Sequence, residues 1–287
     1  MGAIINSEGK SSHWYNKDGS PCHQVPYKDK KRAAAGEMKN TTLTEARQLN
    51  LLPSVTNVLG MLHKPALDDW KAEQLLLAAS TMPYNTGNLK SWMVSVHMAA
   101  QSITEEARAI GLSAHKMIED YAGGRKTPID PVGELPFMAL KTWHDLRVKE
   151  VIRTECTVVH DDYAGTLDEM ADLHGDGPAI IDFKTRRGGW KLDRNGVWRC
   201  ATYLEDKVQL AAYRNAVCEA QNISFIDPDF HCLSVIVPSE RLPNWSLPTP
   251  HFEHRWTIDE MVDGRGIFLD LVAAWKKIKR YDPSNPS

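Results

Sequence analysis

From Pro53 onward the apolar positions of this chain recur at three- and four-residue steps, and near residue 150 the step shortens to two. The first period predicts helices and the second predicts strands. Ser54-Val55-Thr56-Asn57-Val58-Leu59 opens one helix, and Pro65 to about Leu77 forms a second. Between Ser91 and Tyr121, the residues Trp92, Val96, Ala99, Ile103, Ala107, Ile110, Ala114 and Ile118 make one apolar stripe, closed by Gly123-Gly124. A further helix covers Glu134 to Lys149. Val151–His160, Tyr163–His174 and Pro178–Thr185 then read as a meander of three strands, separated by Asp161-Asp162 and by Gly175-Asp176-Gly177. A loop follows, then a helix over Tyr203–Ala220, a strand at His231–Val237 and another near Phe252–Ile258. A last helix has Met261, Ile267, Phe268, Leu271, Val272, Trp275 and Ile278 on its buried side and ends at Asp282-Pro283. The expected class is α/β, a mixed β-sheet core flanked by helices.

Residues 1–50 are polar and irregular, and they read as an extended arm with short strands around Trp14–Tyr15 and Val25–Tyr27 and a basic cluster at Lys28, Lys30, Lys31 and Arg32. The expected organisation is this arm, a helical region over 51–150 and a core over 151–287, packed as one unit. The chain has 287 residues, 42% hydrophobic and 25% charged, enough for a sizeable core. No apolar run reaches the roughly 20 residues of a membrane span, and the first residues lack a secretion signal, so no membrane partner is expected. The five cysteines are odd in number and contain no Cys-x-x-Cys pair. That argues against a disulfide framework or a zinc ribbon and favours a reducing, cytoplasmic setting. With a net charge of −3, affinity for nucleic acid has to come from local patches.

Candidate chemistry concentrates in Gly165-Thr166-Leu167-Asp168 and Ile180-Ile181-Asp182-Phe183-Lys184-Thr185. An acidic residue two before a lysine occurs six times in the chain, but only Asp182 and Lys184 close an apolar strand. Strand geometry places these two on one face, with Phe183 on the other. A turn through Gly175–Gly177 brings Asp168 beside Asp182. Two carboxylates and an ammonium at one sheet end suit a hard divalent cation and a phosphodiester. His115 and Glu119 share a helical face, as do Gln209 and Tyr213. After Lys184 come Arg186, Arg187, Lys191, Arg194 and Arg199 with Trp190 and Trp198 interleaved, a composition that suits a nucleic-acid backbone and unstacked bases.

Taken in order, His115 in Gly-x-x-x-His-x-x-x-Glu, Asp168 in Gly-Thr-x-Asp, Asp182-x-Lys184 and Gln209-x-x-x-Tyr213 resemble the PD-(D/E)xK nuclease superfamily, in its RecB-like exonuclease branch. That branch includes phage-encoded members and the mitochondrial genome maintenance exonuclease. The resemblance covers roughly residues 53–240, and Pro53-Ser54-Val55-Thr56 and Trp70 look like the helical part of such members. It implies a restriction-endonuclease-like core and a metal-dependent DNA exonuclease. His115, Asp168, Asp182 and the Phe183 carbonyl would hold Mg²⁺ or Mn²⁺, and Lys184 would act on the phosphate or its attacking water. Gln209, Tyr213, Arg186, Arg187, Thr185, Ser54 and Thr56 would contact DNA that is single-stranded or has free ends. Glu119 would fix the His115 tautomer and Glu155 would sit beside the cation. A phage-encoded member would work in the host cytoplasm; the oligomeric state is left open.

Two features depart from the family pattern. The close trio of cysteines that holds an iron–sulfur cluster in some relatives is missing, so no cluster is expected, and Leu167 replaces the usual Pro before the first acid. The rival readings are a structure-specific or restriction-type endonuclease on the same core, a non-catalytic DNA-binding module, and a zinc hydrolase using His251 and His254. In a strand, positions three apart lie on opposite faces, which disfavours the last.

Overall fold

The computed structural model describes residues 4–6, 14–84, 88–243 and 250–285. Its N-terminal part contains β1 (Ile4–Asn6), β2 (Trp14–Tyr15), β3 (Gln24–Pro26), α1 (Lys30–Ala34), β4 (Met38–Asn40), α2 (Leu43–Leu49) and β5 (Leu52–Pro53). The helical region holds α3 (Val55–Leu59), α4 (Pro65–Thr81), α5 (Leu89–Ala122) and α6 (Glu134–Arg147). Then come β6 (Val148–Val159), β7 (Ala164–Leu173), β8 (Gly177–Arg186), β9 (Trp190–Leu192), β10 (Trp198–Cys200) and α7 (Leu204–Gln221). The chain closes with β11 (His231–Pro238), β12 (Phe252–Arg255) and α8 (Ile258–Lys279). Among the described residues no helix is long and apolar enough to cross a membrane.

The main sheet has six strands in the order β1-β6-β7-β8-β11-β12, and every neighbouring pair is antiparallel except β8 and β11. A parallel pair needs a crossover, and α7 supplies it. β8 lies in the middle, so Ala179–Phe183 is an unbroken run of buried residues, as a strand covered on both faces requires. Ile180 faces a core shared with Val208, Ala212 and Val217 of α7 and Phe268, Val272 and Trp275 of α8. Ala179, Ile181 and Phe183 face the other way, onto Ala114 and Ile118 of α5 and Phe137, Leu140 and Trp143 of α6.

Three expectations change. The N-terminal arm is neither irregular nor loose from residue 14 on. Trp14 is buried against Trp275 and Tyr281 of the C-terminal region, with ring centroids 6.1 and 6.4 Å apart, and Ala46 and Leu51 join the same core. The expected buried stripe of α5 is also interrupted. Val96 and Ala100 pack with Ala78 of α4 in a small separate cluster, Ala114 and Ile118 pack on the sheet, and no residue from 101 to 110 is fully buried. Finally, the loop after β8 contains the β9–β10 hairpin, in which Trp198 pairs with Leu192 and Cys200 with Trp190.

Candidate active site at the strand fork

The antiparallel ladder between β7 and β8 runs from Leu173 and Gly177 to Glu169 and Ile181 and stops there. One step further, Asp168 and Asp182 stand opposite each other where the strands part. β8 continues beside β11 as far as Arg186, while β7 continues beside β6 through Leu167, Thr166 and Gly165. On the far side of the fork, Ser54 makes a parallel bridge to Ala164, so the segment leading into α3 occupies the edge that β8 has left. The Phe183 N–H, on the open side of β8, donates to Asp168 Oδ2 at 2.7 Å. A carboxylate thus takes the place of a ladder carbonyl.

Lys184 Nζ donates to Asp182 Oδ1 at 2.7 Å and to Gln209 Oε1 at 3.1 Å, and Gln209 Nε2 donates to the Tyr213 hydroxyl at 3.1 Å. The two sequence pairs, Asp182/Lys184 and Gln209/Tyr213, therefore form one hydrogen-bonded chain. Asp182 is 2% exposed, and its Oδ2 has no hydrogen-bond partner among the described residues. Burial pushes the Asp182 carboxyl up to about 7; Lys184 opposes this, while Asp168 and Asp206 add to it. Burial also works against the charge on Lys184, but Asp182, Asp206 and Asp168 outweigh it and hold the ammonium above its ordinary value. Lys184 is therefore a fixed cation and no proton donor near neutral pH.

His115 comes in from α5, its Nδ1 3.7 Å from Asp168 Oδ2 and its ring 6.3 Å from and edge-on to Phe183. Two glycines of the sequence motifs permit this closeness. A Cβ on Gly111, one turn before His115, would lie 3.1 Å from Thr185 Oγ1. A Cβ on Gly165 would lie 2.7 Å from the Tyr213 ring and 3.1 Å from Val55 Cγ2. The β6–β7 register, with Thr154 opposite Glu169 and Cys156 opposite Leu167, sets Glu155 across from Asp168. Burial first, then Asp168 and Glu119, push the Glu155 carboxyl up to about 8.

Other expected site residues are placed differently. Glu119 does not orient His115; it pairs with Arg125 at 2.6 Å and Lys116 at 3.1 Å, two cations of its own surface. Arg186 Nη2 donates to both carboxylate oxygens of buried Asp206, at 2.9 and 3.0 Å, and so anchors the start of α7 to β8 instead of facing solvent. Arg187 is exposed and paired with Glu240 at 2.9 Å. Ser54 is buried as the N-cap of α3, accepting from the Asn57 N–H and lying 2.9 Å from the exposed Thr56 hydroxyl. Sequence reasoning missed Tyr15, whose hydroxyl lies 3.1 Å from Thr166 Oγ1 on β7 and so brings the arm to the fork. It also missed Asp206, and neither residue carries a local signal. Among the described residues no three His, Cys, Asp or Glu side chains form a ready-made metal cage, and His254 of the His-x-x-His packs edge-on against Trp256 at 4.3 Å.

No family model matches the chain, and no curated protein matches it either. Among solved structures, the crystal structure of SSO0001 aligns with 76% of this chain and 88% of its own, at 12% identity and a TM-score of 0.29. So loose a superposition carries no argument about fold or chemistry.

Proposed function

We propose that this chain is a metal-dependent deoxyribonuclease that hydrolyses phosphodiester bonds from DNA ends, built on a restriction-endonuclease-like core. The observation that carries the reading is the buried Asp182 Oδ2, left without a donor at a fork that also holds Asp168, His115 and Lys184. A buried carboxylate oxygen without a donor is costly, and a cation is the partner that would satisfy it. Asp168, Asp182, His115 and the Phe183 carbonyl would supply three oxygens and one imidazole, a set suited to Mg²⁺ or Mn²⁺. When bound, such an ion polarises a phosphate and lowers the pKa of a coordinated water.

The chain's own side chains supply the rest. Lys184, held between Asp182 and Gln209, offers a fixed positive charge to the negative charge that builds on the phosphate. Tyr213, buried and with its hydroxyl pKa raised by that burial, stays protonated and fixes Gln209. The order of three antiparallel strands, crossover helix and parallel strand is in keeping with the resemblance drawn from the motifs.

The test uses purified protein with end-labelled linear DNA and closed circular DNA in Mg²⁺. Linear DNA is consumed and the circle survives; EDTA stops the reaction and Mn²⁺ restores it. Asp182→Ala and Lys184→Ala each abolish cleavage with the circular dichroism spectrum unchanged. Wild-type turnover in either variant, or cleavage that persists in chelator, refutes the scheme. Cleavage of the circle with the same dependence on Asp182 and Lys184 would make the enzyme an endonuclease, and DNA binding without cleavage would make it a binding module.

A further inference from the structure

Away from the fork, a cavity of about 420 Å³ is lined by Arg47 of α2, by Lys276, Lys277, Arg280 and Tyr281 at the end of α8, and by Asp282 and Asn285. Its one acid is already neutralised, since Lys276 pairs with Asp282 at 2.9 Å and also with Asp162. Lys277 and Arg280 have no carboxylate partner within ion-pair distance among the described residues, and the Arg47 guanidinium donates to the Lys279 carbonyl. Three cations thus surround the space without matching anions, in a chain whose net charge is −3.

Helix electrostatics explains only part of this. Lys276, Lys277 and Lys279 in the last turn of α8 oppose the negative end of its dipole. Arg47, however, reaches in from another helix, and Arg280 lies beyond the helix end. Its backbone is left-handed, at φ 47°. The same position after α2 and α7 is filled by Asn50 and Asn222, at φ 54° and 55°. Asn tolerates that conformation through its short polar side chain, whereas a long side chain is disfavoured there. An arginine in a place that suits asparagine points to a use for its guanidinium.

We infer that this cavity binds phosphates of a nucleic-acid backbone, as a second contact beyond the scissile site. The two guanidinium forks match phosphate oxygens, and Lys277 adds a point charge. The cavity is linked to the fork through packed residues. The Tyr281 hydroxyl donates to the Leu51 carbonyl at 2.6 Å and its ring packs on Trp14, the neighbour of Tyr15, which reaches Thr166. DNA held at the cavity would therefore be anchored through the same packed region that carries the cleavage site. This inference rests on the reading of the chain as a DNA enzyme.

The experiment measures binding without cleavage: fluorescence anisotropy of labelled double-stranded DNA with a single-stranded overhang, in EDTA, at several salt concentrations. Arg280→Asn is expected to melt at a higher temperature, because Asn suits the left-handed position, and yet to bind DNA several-fold more weakly. The slope of log affinity against log salt should become shallower by about 1. Lys277→Gln should weaken binding in the same direction. An Arg280→Asn protein with a raised melting temperature but unchanged affinity and salt slope overturns the inference. So does inorganic phosphate raising the melting temperature of wild type and not of the variant while DNA affinity stays equal, since the cavity then takes a small anion. If wild type binds no DNA in EDTA and also cleaves none in Mg²⁺, the nuclease reading itself fails, an outcome distinct from a binding wild type with an indifferent variant.

Discussion

Asp182→Asn should stabilise the metal-free protein, and by an amount that grows with pH. The asparagine copies the shape of a protonated aspartate and cannot ionise. In the folded chain, burial moves the Asp182 carboxyl from its ordinary 3.8 to about 7, even with Lys184 beside it. A folded-state pKa above the unfolded one means that the folded protein holds its proton longer. Stability from this group is complete below pH 4 and is lost as pH rises through 7. The full loss corresponds to about 4 kcal/mol. The raised Lys184 pKa expresses the same attraction from the other partner and is counted once. At roughly 2 °C per kcal/mol for a chain of this size, the variant should melt about 3 °C above wild type at pH 5 and about 8 °C above it at pH 8.5. The assay is thermal unfolding of both proteins in EDTA from pH 5 to 8.5. Taking the difference between them cancels titrations elsewhere, such as that of His254, whose pKa is lowered by burial. Excess Mg²⁺ or Mn²⁺ should close the gap by raising the wild type alone. A gap independent of pH, or a variant less stable than wild type at pH 8.5, refutes the claim that this carboxylate is held buried at a net cost.

Two further outcomes follow from packing. Gly165→Ala forces a Cβ to 2.7 Å from the buried Tyr213 ring, so an overpacking loss of about 1–3 kcal/mol is expected, together with weaker activity as Gln209 and Lys184 shift. Gly111→Ala meets only the Thr185 hydroxyl at 3.1 Å and gains helix propensity, so its urea midpoint should stay close to wild type; equal midpoints for the two variants would refute the contrast. Arg214 is fully buried and donates to the carbonyls of Phe225 and Asp227, both at 2.8 Å, and of Phe230, so Arg214→Met should cost about 3–5 kcal/mol in urea unfolding. An unchanged midpoint would show that those carbonyls find other donors.

The parts of the fold legible in the sequence are those whose burial follows from neighbours a few residues away. The run Ala179–Phe183 reads as a covered strand and lies between β7 and β11. The end of α5 at Gly123 and the start of α7 after Tyr203 fall where local signals put them. The last helix was expected to end at Asp282-Pro283 but stops at Lys279, because a left-handed Arg280 closes it and no residue preference foretells that. The middle of α5 carries the same apolar spacing as its ends, yet Ile103 and Ala107 are only half-buried. Periodicity reports which face could be covered, and only the neighbours decide whether anything covers it.

The same distinction divides the candidate site. Asp168, Asp182 and Lys184 belong to two strands joined by a short turn, so their meeting follows from the register of one hairpin. His115, Gln209 and Tyr213 stand out by motif alone, and in the structure the side chains of α5 and α7 reach the fork. Arg186 looked like part of a basic surface because its partner Asp206 lies twenty residues on, beyond the hairpin. Tyr15 is 151 residues from the threonine it touches, and the segment around it reads as polar and irregular. Once β7 and β8 separate, the β7 edge takes another backbone at Ala164, from Ser54, and the Tyr15 side chain of the arm reaches it at Thr166 through its hydroxyl. The strands part where the segment leading into α3 takes over the β7 edge, and their parting leaves a pair of carboxylates facing each other with an oxygen unsatisfied.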